Sequence, residues 1–191
     1  MFVSGRGSNL KSILDYFKIN NNVEIKLIVT DNPLCKALDI ARQYNIPFYC
    51  IDKNKFEQGF DNLSRILKEK NVELIVLAGF LKLLPSFFVN NFRQRIINIH
   101  PALLPAYGGK GMYGLNVHKA VLGSGDKESG ATIHFVDESY DTGNIIAQET
   151  VEITDCKTPE EIAERVLKIE HQLLPKVIND IADGKIKIGN K

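Results

Sequence analysis

The sequence lacks the features expected of an exported or membrane-bound protein. Its three cysteines, Cys35, Cys50 and Cys156, are widely spaced and odd in number, which fits neither a disulfide framework nor a zinc site. No basic segment followed by an apolar one opens the chain, and no run of about 18 apolar residues is present. These absences predict a reducing compartment, the cytoplasm, and no membrane partner.

The sequence also lacks an excess of charge of either sign. Lys and Arg together number 24 and Asp and Glu 23, which leaves a net charge of +1. Because a nucleic-acid-binding protein needs a strongly positive surface, we expect small-molecule substrates and no nucleic-acid partner. The hydrophobic fraction of 44% over 191 residues supports one core, so we expect a single domain over residues 1–191. The oligomeric state is not predicted.

Short apolar, β-branched segments alternate with longer amphipathic ones along the first half of the chain. This alternation predicts an α/β fold, in which a mostly parallel twisted sheet carries helices on both faces. The predicted strands cover residues 23–30, 46–51, 74–77, 96–99, 131–136 and 145–153, and the early helices residues 8–16, 35–44 and 55–70.

The C-terminal part of the chain breaks this alternation. The polar stretch 137–144 is too short to hold a crossover helix, so we expect the last two strands to form an antiparallel extension of the sheet. A final helix is predicted from Thr158, Pro159 and Glu161, which form an N-cap, a proline at the first helical position and a capping-box glutamate. Pro175 is expected to kink or split that helix.

A glycine-rich segment, Ser4-Gly5-Arg6-Gly7-Ser8-Asn9-Leu10, stands between the first predicted strand and the first helix. Free N–H groups at a helix start make an anion site, and glycines let a phosphate approach the main chain. A dinucleotide site is disfavoured, because Leu10 replaces a third glycine, although Asp31 stands where a ribose-binding acid would lie. A tight turn capped by Ser8 is the alternative.

Asn98 and His100 are two residues apart at the end of a predicted strand, so their side chains point to the same side of the sheet. The carboxyl edge of such a sheet is where ligands bind. An amide can stabilise an oxyanion and an imidazole can move a proton, which are the two needs of acyl transfer. Taken alone, a structural histidine at a strand end is the more common use.

An aspartate within reach of His100 is predicted in the connection between the last two strands. The carboxylate of Asp141 would orient the imidazole and raise its pKa, although Asp141-Thr142-Gly143 also fits an ordinary turn. Asp137 and Glu138 beside it are expected to be solvated. A nucleophilic serine elbow and a metal site are not predicted, and His118 and His134 are expected to be structural.

Two further segments precede and follow the Asn98 strand. Residues 78–85 are apolar, which is typical of a core but would also suit a flat aromatic ligand. Residues 101–114 hold two prolines and four glycines and are expected to form a long irregular loop of the kind that often serves function.

Four segments taken together resemble the phosphoribosylglycinamide formyltransferase family over essentially the whole chain. They are Ser4-Gly5-Arg6-Gly7-Ser8-Asn9-Leu10, Ala78-Gly79-Phe80-Leu81-Lys82-Leu83-Leu84, Asn98-Ile99-His100-Pro101-Ala102-Leu103-Leu104-Pro105 and Asp141-Thr142-Gly143. The resemblance implies a formyltransferase-like variant of the Rossmann fold. It also implies transfer of the formyl group of 10-formyltetrahydrofolate to the amine of 5′-phosphoribosylglycinamide in de novo purine biosynthesis, without a metal.

The resemblance also implies residue roles. Asn98, His100 and Asp141 match the catalytic trio, in which Asn98 and a protonated His100 stabilise the oxyanion and Asp141 keeps His100 charged. Without the resemblance, Glu170 and His171 are exposed helix positions. The other implied contacts are Gly7, Ser8 and Asn9 for the phosphate, Glu170 for the ribose, and Leu81, Lys82, Leu83, Leu84, Asn98, Asp137, Glu138, Ser139, Tyr140 and Asp141 for the folate.

Two departures from the family pattern and three alternative functions stay open. Family members have a longer first strand than the four residues before Gly5 allow, so we expect sequence upstream, and a basic folate contact near Lys53 or Lys55 is left unassigned. One alternative is a formyltransferase acting on methionyl-tRNA, which would need a basic extension. The others are a hydrolase of formyl-folate and a non-catalytic module that binds phosphate or nucleotide.

Overall fold

The computed structural model describes residues 1–19 and 22–189. Helices and strands alternate as far as β5, and β6 then follows β5 without a helix between them. The helices are α1 (Ser8–Phe17), α2 (Ala37–Gln43), α3 (Phe56–Glu69), α4 (Ser86–Asn91), α5 (Leu115–Ser124) and α6 (Pro159–Ala182), and the strands are β1 (Ile28–Thr30), β2 (Phe48–Cys50), β3 (Ile75–Leu77), β4 (Ile96–His100), β5 (Glu128–Phe135) and β6 (Ile145–Glu152).

The strands form the predicted mixed sheet. β1 pairs with β2 and β3 pairs with β4 in parallel, whereas β4–β5 and β5–β6 are antiparallel. The chain at Phe2 joins the two halves, because it bridges in parallel to both Val29 and Leu77. The predicted fold class, including the antiparallel C-terminal extension, is confirmed.

The helices cover both faces of this sheet, since alternate strand residues enter different cores. Ile97 and Ile99 pack in one core with residues of α1 and α6, while Ile96 packs in the other with residues of α3 and α4. All three isoleucines are nearly or fully buried, as expected for strands enclosed on both sides. The pleat therefore gives Asn98 and His100 a direction opposite to that of Ile97 and Ile99.

Several elements differ from the sequence predictions. β1 is much shorter than the predicted 23–30. Met1 and Val3 pair with the chain at residues 27–29, but no described strand pairs with residues 23–26, so the strand begins only at Ile28. The short helices α4 and α5 were not predicted. Pro175 was predicted to kink or split α6, and the split is wrong, since the helix runs through this residue. Pro175 is buried in a row with Leu173 and Leu174, and the packing of this face holds the helix together.

The N-terminal cap of α6 is the one predicted from sequence. The Glu161 N–H donates to Thr158 Oγ1 at 3.2 Å, and the Thr158 N–H donates to Glu161 Oε2 at 3.1 Å. Such a cap stabilises a helix by about 1 kcal/mol. It fixes the start of the helix that later carries Glu170. Within the described residues, no helix is both long enough and apolar enough to cross a membrane.

Candidate active site

The carboxyl end of β4 forms the floor of a cleft of about 650 Å³. Asn98 is half-buried and His100 is 3% exposed, and both side chains line this cleft. The start of α1, the segment after β3, the loop before α5, the β5–β6 connection and one face of α6 form its walls. Segments from both ends of the chain thus meet at the end of one central strand.

Asp141 links the polar side chains at the centre of the cleft. One oxygen, Oδ2, lies 3.5 Å from His100 Nδ1 and accepts the Gly109 N–H at 2.9 Å. The other, Oδ1, lies 3.5 Å from His134 Nε2 and 3.4 Å from Asn98 Nδ2. Burial opposes ionisation of this carboxyl, but its contacts with His134, His100 and the Gly109 N–H outweigh burial and hold its pKa below the usual value.

His100 is held at both ring nitrogens. Its Nε2 lies 2.8 Å from the main-chain oxygen of Tyr107. Because a carbonyl oxygen only accepts, Nε2 carries a hydrogen, and Nδ1 faces Asp141. Burial lowers the pKa of His100, and the opposing effects of Asp141 and Tyr107 do not restore it. Asp141 raises this pKa, as expected, but desolvation is the larger effect, so the expectation that Asp141 keeps His100 charged is wrong for the protein without ligand.

His134 was predicted to be structural, yet it belongs to this cluster. The β4–β5 register places it directly opposite Asn98, and Asn98 Nδ2 lies 3.1 Å from its Nε2. Its Nδ1 lies 2.8 Å from the carbonyl of Phe135, so Nδ1 is the donor in that contact and Nε2 faces both Asn98 Nδ2 and Asp141 Oδ1. The antiparallel pairing was predictable, but its register, which brings His134 to Asn98, was not.

His118 was also predicted to be structural, and it too lines the cleft. It lies on α5 and is 5% exposed, and its Nδ1 has no hydrogen-bond partner among the described residues. Burial, with a smaller contribution from nearby His100, lowers its pKa to about 4. His118 is therefore uncharged at neutral pH and forms part of the cleft wall.

The glycine-rich segment forms the start of α1, as predicted. Gly7 has a φ of 77°, and no side chain caps the helix, so the capping alternative for Ser8 is wrong. A Cβ on Gly7 would lie 2.8 Å from Ala37 Cβ, which leaves no room for another residue. Gly7, Ser8 and Asn9 line the cleft, and free N–H groups at an uncapped helix start are able to bind an anion.

Asn9 and Glu170 form a buried pair behind this helix start. Asn9 Nδ2 donates to Glu170 Oε2 at 2.6 Å, and the two residues are 8% and 9% exposed. Burial raises the pKa of Glu170, with the Asn9 contact opposing it. Asn9 Oδ1 is buried without a hydrogen-bond partner. Glu170 and the half-buried His171, whose Nε2 is also buried, are thus not the exposed helix positions that the sequence alone suggested.

The other end of the cleft is apolar and open. Leu81, Leu83 and Tyr140 are 46%, 41% and 37% exposed and line it together with exposed Lys82 and with Leu84, which is 4% exposed. This many large apolar side chains in water at the rim of a cleft is typical of a ligand-binding surface.

Asp137 and Glu138, predicted to contact folate, are not among the residues that line the cleft. Asp137 accepts hydrogen bonds from the Ser139 N–H and Thr142 Oγ1, and Glu138 accepts one from Asn90. Their side chains support the loop that carries Tyr140 and Asp141. Within the described residues, no group of His, Cys, Asp and Glu side chains is arranged to hold a metal ion.

A model of the formyl transferase family matches residues 1–178. The chain belongs to the formyl transferase family. Its resemblance to phosphoribosylglycinamide formyltransferases, predicted from the four motifs, is confirmed by relatives of that name.

Two curated members of the formyl transferase family illustrate the similarity. The chain is 47% identical over 193 residues to the phosphoribosylglycinamide formyltransferase, chloroplastic, of Arabidopsis thaliana, with 98% of this chain and 66% of that protein covered. It is 36% identical over 185 residues to the phosphoribosylglycinamide formyltransferase of Bacillus subtilis, with 95% and 92% covered. The chain therefore spans slightly less than two thirds of the plant protein and nearly all of the bacterial one.

The fold is that of solved formyl transferases. The crystal structure of phosphoribosylglycinamide formyltransferase from Anaplasma phagocytophilum superimposes with a TM-score of 0.89 at 36% identity, covering 99% of this chain and 88% of that one. The antiparallel end of the sheet, predicted from the short polar connection 137–144, thus belongs to a known formyl transferase architecture.

Proposed function

We propose that this protein transfers the formyl group of 10-formyltetrahydrofolate to the amine of 5′-phosphoribosylglycinamide, a step of de novo purine (IMP) biosynthesis. One observation carries the proposal: Asn98, His100 and Asp141 lie in contact between the uncapped start of α1 and an apolar cleft end. A phosphorylated amine and a flat aromatic formyl donor would meet there.

The phosphorylated substrate fits the end formed by the start of α1. Gly7, Ser8 and Asn9 would bind the phosphate through N–H groups and the positive end of the helix dipole. Glu170 and the unpartnered Asn9 Oδ1 offer buried acceptors for the ribose hydroxyls. Burial raises the pKa of Glu170, which disfavours its negatively charged form beside a phosphate.

The formyl donor fits the opposite end. Leu81, Leu83 and Tyr140 present apolar surface, and main-chain groups of residues 137–141 offer hydrogen bonds to a pterin ring, with Lys82 and Leu84 beside them. When bound, 10-formyltetrahydrofolate supplies an electrophilic formyl carbon. The residues present suit such a ligand because flat heteroaromatic rings bind between apolar walls with a few polar groups at their edge.

At the centre, Asn98 stabilises the oxyanion. Its Nδ2 lies 3.1 Å from His134 Nε2 but 3.4 Å from Asp141 Oδ1. The second contact is long, so one amide hydrogen can turn to the oxygen of the formyl group as charge develops there. The contact between His134 Nε2 and the other hydrogen of Asn98 Nδ2 fixes the orientation of the amide plane.

His100 moves the proton. Its lowered pKa leaves Nδ1 unprotonated near neutral pH, ready to accept the proton that the attacking amine loses. The imidazolium that forms then stabilises the oxyanion beside Asn98 and returns the proton to N10 of the leaving tetrahydrofolate, directly or through water. Asp141 stabilises this transient cation from 3.5 Å. Its carboxylate thus acts on the charged state that the reaction creates.

An absorbance assay tests the function. The purified protein is mixed with 10-formyltetrahydrofolate and 5′-phosphoribosylglycinamide, and the folate spectrum is followed with and without the amine. We expect folate turnover only when the amine is present. Turnover without the amine would identify a formyl hydrolase, and binding of the phosphorylated amine without turnover would favour a non-catalytic module.

We also propose that residues 1–191 act as one domain in the cytoplasm, with small molecules as partners. The widely spaced cysteines and the near-neutral charge support this setting. Cys35 and Cys156 are buried and Cys50 is exposed, all as free thiols. Fractionation of the source cells with an antibody against the protein would test the location, which matters because the Arabidopsis relative is named as chloroplastic.

A further inference from the structure

The tripeptide Tyr107-Gly108-Gly109 touches both His100 and Asp141 through main-chain atoms alone. The Tyr107 carbonyl accepts from His100 Nε2 at 2.8 Å, and the Gly109 N–H donates to Asp141 Oδ2 at 2.9 Å. Asp141 Oδ2 is also the oxygen nearest His100 Nδ1, at 3.5 Å. One short segment therefore binds His100 through a main-chain acceptor, the Tyr107 carbonyl, and Asp141 through a main-chain donor, the Gly109 N–H.

The tripeptide is held where these contacts require it. Tyr107 has a φ of 57°, which is rare for a residue with a side chain. Its Oη lies 2.5 Å from Asp126 Oδ2, to which it donates, and 2.7 Å from Ser124 Oγ. These residues lie at the end of α5 and just after it, so the ring ties the tripeptide to an element outside the loop. This tether offsets part of the cost of the backbone conformation.

Gly108 adds a steric requirement. A Cβ at this position would lie 2.6 Å from Leu104 Cδ2 and 3.3 Å from Asp141 Cβ. An added Cβ would therefore have to displace the buried end of the Leu104 side chain or move the segment itself. Glycine fits at this position without either shift.

From these contacts we propose that Tyr107-Gly108-Gly109 is a main-chain clamp that selects the Nε2–H tautomer of His100 and thereby makes Nδ1 its basic atom. In the other neutral tautomer, Nε2 would carry a lone pair directed at the Tyr107 carbonyl, and the hydrogen bond would be lost. The Gly109 N–H holds Asp141 at Nδ1, where the transient positive charge forms. Tyr107 is then a positioning residue, acting through its main chain on the catalytic histidine.

Asp141 favours the other tautomer, because its carboxylate oxygen Oδ2 lies 3.5 Å from Nδ1. This contact is longer than the 2.8 Å contact between Nε2 and the Tyr107 carbonyl, and Oδ2 already accepts the Gly109 N–H. Asp141 favours the charged form of the His100 ring and His134 disfavours it, but neither side chain makes a hydrogen bond to Nε2 in the part of the chain that the structure describes. Only the Tyr107 carbonyl makes a hydrogen bond to that atom among the described residues. The Tyr107 carbonyl also favours the charged ring, and in the neutral ring it favours the hydrogen on Nε2.

The test uses the full chain labelled with ¹⁵N-histidine, whose ring nitrogen shifts distinguish the two tautomers. There are four histidines, and the His100→Asn spectrum assigns the His100 signals. Tyr107→Phe removes only the tethering hydroxyl, and Gly108→Ala adds a Cβ that crowds Leu104 and Asp141. Tyr49→Phe, which loses a bond to the Gly59 carbonyl elsewhere, and Gly123→Ala, with open space around its Cβ position, are the matched controls.

We expect wild-type His100 and both controls to show the Nε2–H tautomer at neutral pH. Tyr107→Phe should mix in the other tautomer and lower kcat about two- to tenfold with little change in either KM, as expected for loss of one hydrogen bond. Gly108→Ala should have a larger effect in the same direction. The kinetic part rests on the proposed function, whereas the tautomer is read without any substrate.

The proposal is overturned if His100 in the folded wild-type protein carries its hydrogen on Nδ1, or if Tyr107→Phe and Gly108→Ala both leave the tautomer unchanged. An altered tautomer without formyl transfer in any variant would contradict the proposed function and leave the clamp supported. A fall in kcat that Gly123→Ala and Tyr49→Phe share would indicate a general loss of stability and also count against the clamp.

Discussion

The two ends of the cleft differ in polarity and in how far their side chains are buried. At the end proposed to bind the phosphate (the phosphate end), Asn9 and Glu170 are buried and hydrogen-bonded to each other, so this end is ordered by the protein itself. At the end proposed to bind the folate (the folate end), Leu81, Leu83 and Tyr140 stand 37–46% exposed, and their apolar surface is open to solvent. The catalytic cluster lies between a polar, preorganised end and an apolar, unfilled one. Substitutions at the centre and at the two ends should therefore change different kinetic constants.

The largest effect is expected at the centre, with His100→Ala. The variant loses both the proton acceptor and the cation that stabilises the oxyanion, so kcat should fall by roughly a hundredfold or more. Both KM values should stay close to wild type, because neither end of the cleft changes. Steady-state kinetics with each substrate varied in turn measures this, and a large rise in either KM with normal kcat would count against the division of the cleft.

At the phosphate end, Gly7→Ala should raise the KM for the phosphorylated amine by about tenfold or more. The added Cβ would meet Ala37 at 2.8 Å, so the N–H groups at the start of α1 must move away from the phosphate. The KM for the formyl donor should change little. Gly184→Ala, which has a similar positive φ of 73° but open space, is the control for backbone strain, and an equal effect in that variant would refute the steric account.

At the folate end, Leu83→Ser should raise the KM for 10-formyltetrahydrofolate about three- to tenfold, since one apolar contact with the ligand is lost. The KM for the amine should not change. Leu34→Ser, at a leucine that is 90% exposed and not part of the cleft, serves as the matched control. An unchanged folate KM for Leu83→Ser would show that this leucine does not contact the formyl donor.

The smallest effect concerns the pH dependence. Burial lowers the pKa of His100, so its active neutral form is present above that pKa, and kcat should fall only as the pH drops below about 6.5, the usual histidine value. Asp141 opposes this lowering, so Asp141→Asn should move the acid limb of the kcat profile to still lower pH, besides reducing kcat. Movement to higher pH would contradict the role of Asp141.

Much of the fold could be predicted because local pattern and tertiary packing agree. The Thr158–Glu161 cap and the alternation of strands and helices are determined by short stretches of sequence. The exceptions depend on distant parts of the chain. The length of β1 depends on how far Met1 and Val3 pair beside it, and the continuity of α6 through Pro175 depends on the packing of the buried residues around it.

For the site, the sequence predicted some residues and missed others. Asn98, His100 and Asp141 occupy strand-end and loop positions that sequence spacing and family resemblance identify, and the structure brings them together. His134 was missed because only the register of β5 against β4 places it opposite Asn98. The direction of the His100 pKa was mistaken for a related reason, since the charge of Asp141 is visible in the sequence while the burial that outweighs it is not.

The most direct test of the account is the turnover of Asn98→Ala at saturating concentrations of both substrates, with Asn62→Ala on the exposed face of α3 as control. Losing one oxyanion donor costs about 3 kcal/mol, so kcat should fall by roughly a hundredfold in a variant that still folds and binds both substrates. Near-wild-type turnover of Asn98→Ala would contradict the assignment of this cleft as the site of formyl transfer.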